Sequence, residues 1–321
     1  MTQPTMNRRT FVKGGLAASA MAALAACGKK GGDTSAASGS AAEGGTLNYY
    51  INNPSAIDPY DLEEDQGMMV GYQLFDALTT YDFTKNELVG LAAESWDVND
   101  AADEFTFHLV KGAKFHDGTT VTSKSFKQGW ERILNPNTST EHASAIGYHL
   151  AMVDGYSELS AGEADELKGV TCPDDDTLVV KLSQAYADFP YVCMHPALSP
   201  VPDCALEDFD TFFFAPVGNG PFKMDGKWED GQQINLVRFD DYSYGEKAKL
   251  DGVHFNIQKD VQTAYTEFQA GNLDVAQVPT TQLKDALSQY GESEDGYTAT
   301  TGKEVLTGDE LSLYYLMLHV N

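Results

Sequence analysis

The chain has 321 residues, enough for two or three domains, and is 42% apolar and 11% aromatic. That composition supports a buried core and argues against an intrinsically disordered chain. The 21 Lys and Arg stand against 48 Asp and Glu, a formal charge of −27. This argues against a nucleic-acid binder and against a polybasic grip on anionic lipid.

Residues 1–26 read as an export signal. Asn7 to Lys13 is a basic segment with adjacent arginines, Arg8 and Arg9. Gly14 to Ala26 is uncharged and rich in Ala and Gly. As a helix rising about 1.5 Å per residue it is too short for a bilayer core of about 30 Å. The arginine pair followed by Phe11 resembles the twin-arginine export motif. Leu24-Ala25-Ala26-Cys27 resembles a lipobox, in which Cys27 takes the lipid. The other reading is a leader cut after Ala26, with Cys27 a spectator. Residues 27–44 form a low-complexity tether rich in Gly, Ser and Ala. Removing the three leader bases leaves 18 against 48 acids, so the remainder carries −30. Cys172, Cys193 and Cys204 contain no CxxC pair and read as small buried hydrophobes, with a Cys193–Cys204 bridge open to an exported protein.

Thr46 to Ile51 predicts a strand. The apolar spacing from Met68 to Leu78 predicts a buried helix. Strands follow at Glu94–Val98 and Glu104–Val110, the second with Phe105, Phe107 and Leu109 on one face. Asp117-Gly118 marks a turn. Phe126, Trp130, Ile133 and Leu134 share one face of a helix capped by Thr122 or Ser123 and ended by Asn135-Pro136. Residues 143–160 predict a second helix, and 170–182 two short strands. Residues 190–202 are irregular with one helical turn. A hairpin is expected over 222–239, a strand at 253–257, a helix at 261–270 stopped by Gly271, a strand at 274–278 and an apolar strand at 311–320. This order predicts an α/β class with a mixed sheet and insertions.

No G-x-S-x-G, H-E-x-x-H or phosphate-loop motif occurs, and Gly218-Asn219-Gly220-Pro221 makes a poor dinucleotide loop. The seven histidines, His108, His116, His142, His149, His195, His254 and His319, show no metal-ligand spacing. Acid runs such as Asp174-Asp175-Asp176 read as turns or solvated faces; carboxylates can hold Ca²⁺, but no EF-hand pattern is present.

An ordered series of short motifs spans residues 46–278. It contains Ile57-Asp58-Pro59, Leu74-Phe75-Asp76-Ala77-Leu78, Gly90-Leu91-Ala92-Ala93-Glu94-Ser95-Trp96 and the run from Phe105 to Gly118. Trp130-Glu131-Arg132-Ile133-Leu134, Pro216 to Lys223, Leu250-Asp251-Gly252-Val253 and Ala270-Gly271-Asn272-Leu273-Asp274-Val275 continue it. The series resembles the extracellular solute-binding proteins of family 5, the peptide-binding components of ABC importers. Asn135 to Thr138 and His195 to Pro202 are similar to oligopeptide binders within it. The resemblance implies an α/β, periplasmic-binding-protein-like type II fold, two lobes with an inserted domain. Lobe I would comprise 44–75 and 203–310, and the inserted domain 76–202. Residues 311–321 would start lobe II, the rest of which is missing.

The function this resemblance implies is capture of an extended peptide between the lobes for delivery to a permease and its ATPase. Main-chain pairing would give affinity, and hydrated pockets would adapt to side chains. Lobe closure would create the surface that docks on the permease. Aligned on Ile57-Asp58-Pro59, the family's peptide-contacting segment falls on Glu63 and on Asp65, the latter mainly through its backbone. His142 and Gln277 fall at or near positions where oligopeptide binders carry tyrosine, so both depart from the pattern. The acid that pairs with the peptide ammonium belongs to the missing lobe. No catalytic residue, cofactor, metal or nucleic acid is expected. The expected state is an exported monomer, lipid-anchored at Cys27 on the outer side of the cytoplasmic membrane. The alternatives are another cargo on the same fold, namely a dipeptide, nickel, haem or an oligosaccharide, or a surface-anchored enzyme.

Overall fold

The structure, a computed structural model, describes residues 43–139, 143–296 and 298–308. The leader with Arg8 and Arg9, Cys27, the tether to residue 42, His142 and the strand expected at 311–320 lie outside the described residues. Within them the chain forms two units, 43–277 and 278–308.

The first unit holds ten strands: β1 (Thr46–Ile51), β2 (Thr79–Asp82), β3 (Glu87–Gly90), β4 (Ala93–Val98), β5 (Glu104–Leu109), β6 (Val170–Asp174), β7 (Thr177–Lys181), β8 (Phe222–Met224), β9 (Gln233–Arg238) and β10 (Gly252–Ile257). Its helices are α1 (Asp65–Leu74), α2 (Ser123–Leu134), α3 (Tyr156–Ser160), α4 (Phe189–Val192), α5 (Cys204–Glu207), α6 (Phe209–Phe214) and α7 (Val261–Gln269). One sheet runs β1-β10-β9-β8, with β1 parallel to β10 and the other pairs antiparallel, the mixed sheet expected. A second, antiparallel throughout, runs β4-β5-β7-β6, and β2 and β3 form a hairpin. The second unit contains a 3-10 turn, Thr280–Gln282, followed by α8 (Leu283–Tyr290).

The antiparallel sheet follows the period-2 rule. Phe105, Phe107 and Leu109 are buried, while the residues between them are half-buried. Phe105 faces Val180 and Phe107 faces Leu178 across the β5–β7 register. Against this face packs α2, where Thr122 sits at the cap and its N–H donates to Ser125 Oγ at 3.2 Å. Phe126, Trp130, Ile133 and Leu134 point into the same cluster, and Trp130 Nε1 donates to Leu198 O at 2.9 Å. Cys172, Cys193 and Cys204 are free thiols, so a Cys193–Cys204 bridge does not form; Cys193 is fully buried.

Three of the motif segments meet at one junction. The His116 ring accepts from Gly218 N–H at 3.0 Å through Nδ1, and its Nε2 lies 3.1 Å from Gly220 O. Burial pushes this imidazole down to about 4, so it stays neutral and Nε2 is the donor. The Asn219 amide brackets the Asp76 backbone, accepting from its N–H and donating to its C=O, both at 2.9 Å. Gly218 and Gly220 press against the Leu74 backbone; a Cβ on Gly218 would stand 1.9 Å from Leu74 O. Gly220 N–H takes the Leu74 carbonyl at 2.8 Å, and Phe75 turns to extended backbone. This explains why α1 ends at Leu74 rather than continuing to Leu78 as expected; Met69 and Tyr72, placed in a buried helix from the sequence, are exposed.

Two other expectations change. The helix expected over 143–160 is a 3-10 turn, Gly147–Leu150, and the short α3, separated by Gly155 with φ +88°. The strand expected at 274–278 shrinks to one bridge, Tyr49 with Val275. There the Asp274 carboxylate takes the Asn48 N–H at 2.8 Å, a donor a continuing ladder would have used.

Candidate functional site

Because β1 and β10 are parallel, Ile51 and Ile257 end at the same edge of the mixed sheet. In open α/β sheets ligands bind outside the carboxyl ends of the strands. From Ile51 the chain passes Asn52 to Ile57, makes a 3-10 turn at Pro59–Asp61 and enters α1. The charge on this stretch is one-sided: residues 46–84 contain no Lys or Arg.

The turn is anchored from beneath. Asp58 is fully buried and receives both terminal nitrogens of Arg132, at 2.7 and 2.6 Å. Its Oδ1 also accepts from Tyr60 N–H at 2.9 Å. Arg132 Nε donates to Ala205 O at 3.0 Å, and its guanidinium lies 5.0–5.2 Å from the rings of Tyr60, Phe209 and Phe212. A bidentate pair with its remaining donor satisfied withstands burial, whereas either partner alone would be left as an uncompensated charge. The motifs Ile57-Asp58-Pro59 and Trp130-Glu131-Arg132 stand far apart in the sequence, and nothing in it signals their pairing.

Above the anchor, Glu64 caps α1, accepting from Gln66 and Gly67 N–H at 2.7 and 2.6 Å and from Ser55 N–H at 3.1 Å. Gln66 Oε1 accepts from Asn52 N–H at 2.9 Å, tying the helix start to the end of β1. Glu63 and Asp65 flank this cap and are exposed. Gln277, also exposed, follows Val275 alongside β1 and so lies toward the Ile51 end. Glu63 and Asp65 thus lie beyond the carboxyl end of β1, and Gln277 follows the Tyr49–Val275 bridge in the same direction; His142 lies outside the described residues.

The neighbouring loop was not foreseen as part of the site. Ala145 N–H donates to Asp61 Oδ1 at 2.7 Å, fastening the loop to the acidic turn. Tyr148 packs at a tilt against His149 with ring centroids 4.3 Å apart, and His149 against His195 at 4.4 Å. Burial lowers both imidazoles, His195 to about 4 with His149 adding to the effect; the Glu63 carboxylate partly offsets it at His149. The only signal in the sequence was the presence of the two histidines, which carried no spacing.

Other surfaces are less organised. An apolar cleft of about 680 Å³ lies along Phe214 and Trp228, with Asp210, Glu229 and Asp230 on its rim. The Asp174-Asp175-Asp176 run is the β6–β7 turn, where Asp174 Oδ1 accepts from Asp176 N–H and Asp176 pairs with Lys111 at 3.3 Å. Among the described residues no group of three or more His, Cys, Asp or Glu is placed to hold a metal ion, and no helix is long and apolar enough to cross a membrane.

A sequence profile for bacterial extracellular solute-binding proteins, family 5 Middle, matches residues 87–321. The chain belongs to this family. Among its relatives, the periplasmic oligopeptide-binding protein OppA of Escherichia coli is 33% identical over 224 residues, 68% of this chain and 40% of its own length. The dipeptide-binding protein DppE of Bacillus subtilis is 30% identical over 278 residues, 85% of this chain and 48% of its own. The solved structure of Haemophilus influenzae OppA in complex with RPPGFSPFR superposes with a TM-score of 0.65 at 26% identity, over 76% of this chain and 48% of that one. The chain thus spans less than half the length of these relatives.

Proposed function

We propose that this family 5 protein is the substrate-binding receptor of an ABC importer and captures extended peptides between two lobes for delivery to the permease and ATPase. The observation that carries the reading is the exposed pair Glu63 and Asp65 beyond the carboxyl end of β1, next to a turn held by the buried Asp58–Arg132 pair, with Gln277 exposed past the Tyr49–Val275 bridge. Such an arrangement offers preset polar groups to a ligand main chain without a rearrangement on binding. The likeness to oligopeptide- and dipeptide-binding proteins supports the cargo. We read 44–75 and 203–310 as lobe I, 76–202 as its inserted domain, and 311–321 as the start of the opposite lobe. The protein binds and releases its ligand unchanged, as a monomer, with no catalytic residue.

The leader supports export, with Arg8 and Arg9 as a twin-arginine signal and Cys27 as the lipidated residue holding the domain to the outer face of the membrane. A Cys27→Ser variant is expected to move the protein from the membrane to the soluble fraction.

Thermal shift of the longest form the gene encodes, against pooled peptides and against nickel, haem and oligosaccharides, tests the cargo. A peptide at about 100 times its Kd stabilises by about 2.7 kcal/mol. A shift with metal, haem or sugar and none with any peptide would overturn the peptide reading.

A further inference from the structure

The ring stack beside the acidic turn has a built end and an open end. At the built end, His195 Nδ1 accepts from Ala197 N–H at 3.2 Å and caps a buried 3-10 turn, Pro196–Leu198. His149 packs against it at an interplanar angle of 34°, and Tyr148 packs against His149 at 32°. At the open end Tyr148 remains 55% exposed. Its ring is held from one side and presents its remaining surface to solvent, so a group landing there meets a preorganised aromatic face.

The two segments that build that face contain no Lys or Arg. Glu63 is exposed on the turn that Asp61 fastens to the Tyr148 loop. No Lys or Arg occurs in residues 46–84, which hold the turn, or in 133–167, which hold the loop. Both imidazoles of the stack are held toward neutrality by burial and so add no repelling charge. An aromatic face attracts cations, and a planar, weakly hydrated guanidinium can stack on it while its fork meets a carboxylate. An ammonium can pair with the carboxylate but cannot stack, and a neutral ring can stack but leaves Glu63 unpaired.

We propose that Tyr148, backed by His149 and His195 and flanked by Glu63, forms a subsite for an arginine side chain of the bound peptide. The inference rests on the peptide-receptor reading and names a preference within it.

The test is calorimetric titration of the longest encoded form with a peptide series in which one residue, moved through each position, is Arg, citrulline, Lys or Leu. At one position Arg should bind about 5- to 30-fold tighter than citrulline, which keeps the shape and loses the charge. Tyr148→Ala should weaken the Arg peptide by a similar factor and leave the Leu peptide within about twofold, Tyr148→Phe should restore the Arg preference, and Glu63→Gln should reduce it. Equal affinity across the series in the unmodified protein, or an equal loss for every peptide in Tyr148→Ala, would overturn the subsite while leaving the peptide receptor standing. Binding of no peptide at all would overturn both.

Discussion

The antiparallel sheet and the carboxyl edge of the mixed sheet use opposite means to hold their shape. Around β5 and α2, Phe105, Phe107, Phe126 and Trp130 fill an apolar cluster, and polar groups pair at the rim, as Lys181 does with Asp103 at 2.7 Å. At the end of β1 the shape comes from a buried ion pair and a helix cap, and the residues above them are exposed and polar. Burial gives stability without preference for a ligand. Polar anchorage gives position, and it leaves Glu63, Asp65 and Gln277 exposed.

The largest effects should separate the two regions. Trp130→Ala should cost about 3–5 kcal/mol in urea unfolding and leave ligand affinity of the folded protein within about twofold. A large affinity loss would show that the core also sets the site. Asp58→Ala should cost about as much, because it strands Arg132 in a buried site, and should weaken ligand binding as well. The double variant Asp58→Ala, Arg132→Met should recover part of the stability but not the affinity; recovery of both would mean the pair does not position the turn.

Asp76 belongs to the junction with Asn219 and Tyr242. Burial raises its carboxyl to about 7, opposed by a 2.6 Å hydrogen bond from the Tyr242 hydroxyl. The folded protein then keeps a proton that the unfolded chain releases above about pH 4. Its contribution to stability is therefore present at low pH and lost as pH rises through about 7, on the order of 4 kcal/mol at the limit. His116 and His195, both held at about 4, act oppositely: folding keeps them neutral, so their contribution is lost as pH falls below about 6.5. Comparing Asp76→Asn with the unmodified protein between pH 4 and 7 cancels the histidines. The difference should change steadily with pH, and a flat difference would refute the buried neutral acid.

Smaller effects belong to the edge itself. His149 Nε2 is buried without a hydrogen-bond partner. His149→Phe keeps a ring in the stack and removes that atom, so it should be neutral or stabilise by up to about 1 kcal/mol. A clear destabilisation in thermal unfolding would point to a partner for Nε2. Gln277→Ala should change stability by less than about 0.5 kcal/mol and weaken the ligand severalfold; unchanged affinity would remove Gln277 from the site.

Much of the fold was legible because burial repeats locally. The period-2 run of β5 and the face of α2 each express one neighbouring core, and the structure returns both. The hairpin of β2 and β3 was not read, since Thr79-Thr80-Tyr81-Asp82 is half polar and its turn uses Asn86 at φ +56° rather than a glycine. The 143–160 helix failed because Gly147 and Gly155 outweigh the apolar spacing between them. Of the proposed site, Glu63 and Asp65 are reachable through the motif beside them. The ring stack is not, because Tyr148 and His149 meet His195 only through the path of the chain.

By itself the sequence determined the family, the local elements with strong periodicity and the one-sided charge of residues 46–84. Those properties are carried by residue type and near spacing. The tertiary structure alone decided that Asp58 and Arg132, 74 residues apart, share one buried pair. It also decided that Leu74 ends α1 by giving its carbonyl to Gly220, and that Asp274 cuts a strand short. Each of these depends on which group a returning chain offers to an unpaired donor, acceptor or charge, and no periodicity encodes that.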